Sequence, residues 1–286
     1  MSDFKQRFSS NVQQAEYWNS EPGQKWVQRD AEMDERLGPI TEELIRRSGV
    51  RIGDHVLDIG CGGGSSTEQI AHAVGANGQV VGIDISEPLL ALARARCGNL
   101  SQVSFENADA QVHQFPMHGL DLLLSRFGVM FFSDPVKAFQ NLLKALKPAG
   151  QLHFACWATV DENPWFVVPL SIAKEYLGEP EPTPARAAGP LAFSEPNYVL
   201  DILTSAGFKD IQIQPTETVM ASSDPAEKQV ELYLTGGPAA RLIAAKAPGD
   251  DIMNALRAAL VGELRKYETK NTIALGATVH YVSASA

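Results

Sequence analysis

The chain has 286 residues, 44% hydrophobic and 20% charged, long enough for one substantial core and ordinary enough to exclude a disordered or fibrous protein. Its formal net charge of −10 and pI near 5.1 come without any Lys/Arg cluster, so a nucleic-acid partner is not expected. Three cysteines, Cys61, Cys97 and Cys156, have neither metal-ligand spacing nor a disulfide framework, no run of about 18 apolar residues crosses a membrane, and Met1-Ser2-Asp3-Phe4-Lys5 lacks the apolar core of a signal peptide. A reducing cytoplasm is the expected home.

In chain order, residues 1–36 are polar with interspersed aromatics (Phe4, Phe8, Tyr17, Trp18, Trp26) and read as one or two helices. A short helix is expected from Pro39 to Ser48, stopped by Gly49. His55–Ile59 is a short apolar run ending in glycines, a buried strand, and Ser66–Val74 a helix. Gln79–Asp84 is a second strand, Glu87–Arg96 a helix with Ser86 as N-cap, Val103–Glu106 a third strand and Leu120–Ser125 a fourth. Val136, Phe139, Leu142, Leu143 and Leu146 follow helical spacing, Pro148-Ala149-Gly150 closes that helix, and Gln151–Trp157 is a fifth strand. Strands alternating with helices predict an α/β, Rossmann-like doubly wound parallel sheet. The proline-rich stretch 178–190 is a loop, Ser194–Ala206 a helix and Phe208–Thr218 a sixth strand. Residues 224–271 are mostly helical, with Ile252, Leu256, Leu260 and Leu264 repeating every four residues, and Ala277–Ser283 returns as a strand. The expected organisation is one domain: 1–48 an N-terminal helical lid, 49–223 a core, 224–271 a helical cap insert, 272–286 the last strand.

The chemistry is concentrated in Val56-Leu57-Asp58-Ile59-Gly60-Cys61-Gly62-Gly63-Gly64-Ser65, an acidic residue in a strand followed by a glycine-rich turn that opens a helix. Glycine permits positive φ and close ligand approach, and the helix start offers free N–H groups. A dinucleotide turn needs G-x-G-x-x-G or A, and here Gly60 and Gly62 are followed by Ser65. Asp58 would repel a pyrophosphate but accepts from an α-ammonium, such as that of S-adenosylmethionine (SAM). Asp84, at the tip of the second strand, is placed for two ribose hydroxyls. After the third strand, Asp109 is placed to accept from an adenine amino group and the Ala110 N–H to donate to a ring nitrogen.

These segments, VLDIGCGGG (56–64), VVGIDIS (80–86), ENADA (106–110), LDLLLSRFGVMFF (120–132) and LKPAGQLHFACW (146–157), resemble the class I SAM-dependent methyltransferases, and within them the UbiE/COQ5-like (methyltransferase type 11) group of small-molecule enzymes. The resemblance covers residues 38 to about 217. It implies a seven-stranded sheet with the last strand antiparallel, and SAM across the carboxyl ends of the strands. By position it puts Asp58, Gly60 and Gly62 at the methionine end, Asp84 with Ile85 at the ribose, Asp109 and Ala110 at the adenine, and Ser125 and Arg126 under the sulfonium. An N-terminal aromatic segment covers the cofactor in this group, which makes Tyr17, Trp18 and Trp26 lid candidates. The insert at 224–271 departs from the ubiquinone-type pattern and points to a different substrate cap or to a subunit interface.

Among Phe127, Val129, Met130, Phe131 and Phe132, Phe127 and Met130 are the candidates to face a substrate, with Trp157 and Trp165, since ligand pockets are largely apolar with few polar anchors. His113 is the weak catalytic candidate, and no histidine pairs with a carboxylate by sequence. Methyl transfer to a small apolar or aromatic metabolite, O- or C-methylation favoured, is the expected function. The competing readings are a non-catalytic SAM-binding protein and an NAD-linked Rossmann oxidoreductase. No metal is called for, and a homo-oligomer is compatible with the chain.

Overall fold

The structure is a computed structural model and describes residues 11–181 and 186–286. Phe4 and Phe8, counted above among the N-terminal aromatics, and Pro182 and Pro184 of the proline-rich loop, lie outside the described residues. The chain divides into two compact units. The first holds the described residues through Trp157 with Ala188–Pro215 and His280–Ala286; the second holds Ala158–Ala187 and Thr216–Val279.

The first unit opens with three helices, α1 (Val12–Trp18), α2 (Glu21–Gln28) and α3 (Asp30–Ser48). It continues as β1 (His55–Ile59), α4 (Ser65–Val74), β2 (Gln79–Asp84), α5 (Glu87–Arg96), β3 (Val103–Asn107), β4 (Leu120–Arg126), α6 (Pro135–Ala145) and β5 (Leu146–Trp157). Helix α8 (Pro196–Ala206) also belongs to it, and β6 (Lys209–Ser222) and β8 (Thr272–Ser285) begin or end in it. The sheet order is β3-β2-β1-β4-β5-β8-β6. β1 pairs in parallel with β2 and β4, β2 with β3, and β4 with β5. β8 runs against β5: Ala286 N–H donates to the Gly150 carbonyl while Ala158 N–H donates to that of Thr278, so one strand descends as the other rises. The expected seven-stranded sheet with its reversed last strand is therefore present. A two-residue strand, β7 (Glu268–Thr269), pairs with β8 off the main path.

Central strands are apolar along their length because helices cover both faces. Val56, Leu57, Ile59, Val80, Ile83, Leu122, Leu123, Leu124, Leu152 and Phe154 are all buried, whereas β3, at the sheet edge, alternates. Ser86 caps α5 by accepting from Leu89 N–H, and Asp134 caps α6 by accepting from Lys137 N–H.

Five elements differ from expectation. α3 runs unbroken from Asp30 through Pro39 instead of starting there. Gly38 carries no Cβ to clash with the proline ring, and Met33, Leu37, Ile40 and Leu44 bury one stripe on both sides of it. β5 starts at Leu146, not Gln151; its pairing to β4 jumps from Leu120↔Leu146 to Leu122↔Gln151, so Pro148-Ala149-Gly150 forms an irregularity inside the strand. β6 and β8 are each longer than predicted. A helix over Pro164–Leu177 (α7) went unread, because its segment PWFVVPLSIA is apolar on every side and has no helical stripe.

The second unit contains α7, α9 (Ala226–Thr235), α10 (Gly237–Lys246) and α11 (Asp250–Leu264) with the remaining parts of β6 and β8. The four-residue repeat of α11 buries Leu256, Leu260 and Leu264 completely, while Ile252 stays exposed. Asn163 ties the start of α7 down by donating to the Ala158 and Thr159 carbonyls and accepting from Thr278 N–H.

Candidate functional site: the carboxyl ends of β1 to β4

Asp58, on β1, is 1% exposed, and its Oδ2 accepts from Ser66 Oγ at 2.7 Å and Thr67 Oγ1 at 2.6 Å. It thus fastens the first turn of α4 to the strand. Burial pushes its carboxyl above the ordinary value, against those two hydrogen bonds and the Arg126 charge.

The glycine turn between β1 and α4 is shaped by close backbone approach. Gly60 sits at φ +67, and a Cβ there would lie 2.6 Å from Gly128 Cα. Gly62, at φ +54, differs: a Cβ on it meets nothing within 4 Å, so its open side is available to a ligand. Gly64, at φ +83, leads into α4 against Ala93.

Asp84 ends β2. Its Oδ2 accepts from Gly62 N–H at 2.9 Å and its Oδ1 from Ser86 N–H at 2.8 Å. Each carboxylate oxygen has a second lone pair left for a hydroxyl. Burial pushes this carboxyl up to about 6, against the backbone N–H groups of Ser86 and Gly62. Ile85 follows, its carbonyl accepting from Asn19 Nδ2 at 2.8 Å.

Asp109, beyond β3, is 2% exposed. Its Oδ1 accepts from Gln111 N–H at 3.0 Å and from Asn11 Nδ2 at 3.4 Å. Its Oδ2 is buried with no partner among the described residues. Burial pushes its carboxyl up, opposed by Gln111 and Asn11. Ala110 is buried beside it, its carbonyl taken by Asn141 Nδ2. The His113 ring meets Phe115 edge-on at 4.7 Å.

Ser125 and Arg126 close β4, and both have structural partners. The Ser125 hydroxyl donates to the Ile59 carbonyl at 2.7 Å and accepts from Gly128 and Val129 N–H. The Arg126 guanidinium turns toward α3, donating to Thr41 Oγ1 at 2.9 Å beside Asp34. Burial lowers its pKa against the opposing charges of Asp34, Asp58 and Asp30. Arg96, bound to Asp30 and Asp34, ties α5 to the same helix.

Trp18 is the centre of the N-terminal aromatics. Its ring stands edge-to-face with Tyr17 (5.3 Å), Trp26 (5.8 Å) and Phe131 (5.6 Å), and its carbonyl accepts from Ser86 Oγ at 2.8 Å. Helix α1, which carries Trp18, is thereby anchored to the loop after Asp84.

Of the apolar candidates, Phe127 and Trp157 come together, stacked with ring centroids 4.2 Å apart. Phe127 holds φ +62, an unusual conformation for a bulky residue. Met130 is fully buried, and its carbonyl accepts from Gly189 N–H. Trp165 belongs to the second unit, where it meets Tyr233 edge-on at 5.0 Å. Cys61 and Cys156 are buried with thiols pushed well up by desolvation, so neither is a ready nucleophile.

Sequence reading missed Ser66, Thr67, Asn11, Asn19 and Gln111. Two hydroxyls in the first turn after a glycine loop are a usable signal for the Asp58 partners. No pattern marks Asn11 or Asn19, whose partners are about 98 and 66 residues away.

These residues fit SAM on two counts. The unpartnered buried oxygen of Asp109 requires a donor, which an exocyclic amine supplies. The open side of Gly62 lies next to Asp84, an acceptor-only group suited to a diol when ionised.

Residues 56–150 match the family model described as a methyltransferase domain. The ubiquinone/menaquinone biosynthesis C-methyltransferase UbiE of Pseudomonas fluorescens is 40% identical over 111 residues, which cover 38% of this chain and 43% of that protein. The match thus spans less than half of that relative's length. Nocamycin O-methyltransferase of Saccharothrix syringae is 28% identical over 193 residues, covering 64% of this chain and 69% of that one. Among solved structures, the phosphoethanolamine N-methyltransferase 2 of Haemonchus contortus, solved with phosphomonomethylethanolamine and S-adenosylhomocysteine, shares the fold (TM-score 0.52, 18% identity, 86% of this chain and 52% of that one). Over residues 56–150 the chain is therefore similar to a methyltransferase domain, and over 111 residues to the UbiE C-methyltransferase of Pseudomonas fluorescens.

Proposed function

We propose that this protein transfers the methyl group of SAM to a small, largely apolar or aromatic acceptor by in-line displacement, with O- or C-methylation favoured over N-methylation. The observation that carries this reading is the pair of carboxylates at neighbouring strand ends, Asp84 beside the open Gly62 and Asp109 with its unpartnered oxygen.

In this reading Asp84, with Ile85 beside it, holds the ribose diol, and Asp109 and Ala110 hold the adenine edge. Gly60 and Gly62 shape the methionine end, where Asp58 adds negative charge. Ser125 and Arg126 act from beneath by fixing the β1 and β4 tips and α3. Trp18 and Trp26 form the lid over the cofactor. SAM when bound supplies a methyl group already activated by its positive sulfur. The protein's part is alignment, worth up to ~7–11 kcal/mol in favourable intramolecular cases, together with exclusion of water. Phe127, stacked on the buried Trp157, is the apolar candidate to face the acceptor, which supports a planar substrate. No side chain is assigned as general base. His113 sits against Phe115, and a phenolic or stabilised-carbon acceptor fits a site that works by proximity.

The test is calorimetry with SAM and S-adenosylhomocysteine on wild type and Asp84→Ala, followed by an acceptor screen over phenols, quinones and polyketide- or terpenoid-like compounds. Micromolar binding abolished in the variant, then turnover of at least one acceptor, is expected. Binding of NADH in place of SAM would sink the reading.

A further inference from the structure

α1 is a seven-residue helix with an asparagine at each end, and at its C-terminal end Asn19 Nδ2 donates back to the Ala15 carbonyl of the same helix at 2.7 Å. Asn11 occupies the N-cap, where asparagine ordinarily accepts from the first turn, yet it makes no capping bond. Its amide reaches out instead: Nδ2 donates to Asp109 Oδ1 and Oδ1 accepts from Ser133 N–H at 3.1 Å. Asn19, at the C-cap, donates to the Ile85 carbonyl and accepts from Glu87 N–H at 3.0 Å. One end of α1 is therefore bound behind β3 and β4, and the other behind β2. A helix of this length spans about 10 Å, the separation of roughly two strand spacings.

Asn11 is itself 6% exposed. A second amide reinforces the head attachment: Gln111 Oε1 accepts from Ser133 Oγ and from Asp134 N–H, while Gln111 N–H shares Asp109 Oδ1 with Asn11. Both donors to Asp109 fall on one oxygen. The carboxylate is thus held by Oδ1 and aimed by it, and Oδ2 is left over.

We propose that Asn11 is a positioning residue for the cofactor's adenine: by fixing Oδ1 of Asp109 it presents Oδ2 to the exocyclic amine, and through Ser133 it couples that alignment to the seating of α1. This rests on the reading that Asp109 faces adenine. Asn11 touches no reacting atom. Its loss slackens both the carboxylate and the helix above it.

The experiment is calorimetry at pH 8 with S-adenosylhomocysteine and with S-inosylhomocysteine, which carries a carbonyl where adenine carries its amine. Wild type, Asn11→Ala and Asp109→Asn are compared, with the melting temperature of each unliganded protein. Wild type is expected to prefer the adenosyl ligand by about 10- to 100-fold, the worth of a hydrogen bond to a charged group plus the penalty for opposing acceptors. Asn11→Ala is expected to erase most of that preference while melting close to wild type. If wild type does not discriminate, the Asp109 reading fails and takes this inference with it. If wild type discriminates and Asn11→Ala weakens both ligands equally, the ratio being intact, Asn11 is only structural and the inference falls while the Asp109 reading stands.

Discussion

The rings of Phe127 and Trp157 lie face to face, their centroids 4.2 Å apart and their planes 7° from parallel. They stand at the ends of β4 and β5, joined also by the Phe127 N–H donating to the Ala155 carbonyl. A bulky residue held at positive φ costs on the order of 1–3 kcal/mol, so the surrounding structure enforces this pose.

Phe127→Gly is expected to relieve that strain and remove the stack together. The two effects oppose each other, the stack being worth about 0.5–1.5 kcal/mol, so thermal stability should move little. KM for an aromatic acceptor should rise roughly fivefold to tenfold with kcat less affected, the loss of one stacking surface. Unchanged KM across several acceptors would reassign the pair to the framework.

The two turn glycines separate folding from binding. Gly60→Ala drives a methyl group into Gly128, and overpacking of this kind costs about 1–3 kcal/mol before backbone strain is added. Gly62→Ala meets open space and should lose only the ~1–2 kcal/mol of a left-handed alanine. Denaturant titration should rank Gly60→Ala well below Gly62→Ala. Calorimetry should nevertheless show weakened SAM binding in Gly62→Ala. Tight binding by that variant would mean that the open side of Gly62 faces no ligand.

Cofactor binding should depend on pH through Asp84. Its folded-state value is raised to about 6, so the carboxylate is neutralised as pH falls through that point, and its capacity to accept two ribose hydroxyls falls with it. Affinity for S-adenosylhomocysteine is expected to weaken from pH 7 to 5 in wild type. It should be weak and nearly flat in Asp84→Asn. In the unliganded protein the sign for stability is opposite: a carboxyl with a raised folded value favours folding more as pH falls from about 6 toward its ordinary value of 3.8.

His153 contributes to stability in the other sense. Burial on β5 lowers its value to about 4, its Nε2 lying 2.9 Å from Gln151 Oε1. Between about 6.5 and 4 the unfolded chain takes up a proton that the folded chain refuses, so stability is lost as pH falls across that window. His153→Asn should remove this contribution. The difference in unfolding free energy between variant and wild type should slope by up to ~1.4 kcal/mol per pH unit there. A flat difference would show that His153 titrates at its ordinary value.

The sequence by itself determined the sheet and the place of its chemistry. Strand identity was legible where burial on two faces forces apolar residues in succession, as in Val56-Leu57 and Leu122–Leu124. The glycine turn was legible because left-handed backbone at Gly60, Gly62 and Gly64 demands that residue type locally. Asp84 and Asp109 stand where strand ends put them, which follows from the strand assignments alone.

Only the tertiary structure decided what each side chain meets. Asp58 holds two hydroxyls of the next helix, and Arg126 turns to Thr41, 85 residues away. Asn11 reaches Asp109, and Phe127 finds Trp157. Such partners are set by chain crossing, and no local pattern encodes them. The helix at Pro164–Leu177 escaped for the complementary reason: apolar residues on all sides erase the periodicity that marks a helix, so only its packing within the second unit defines it.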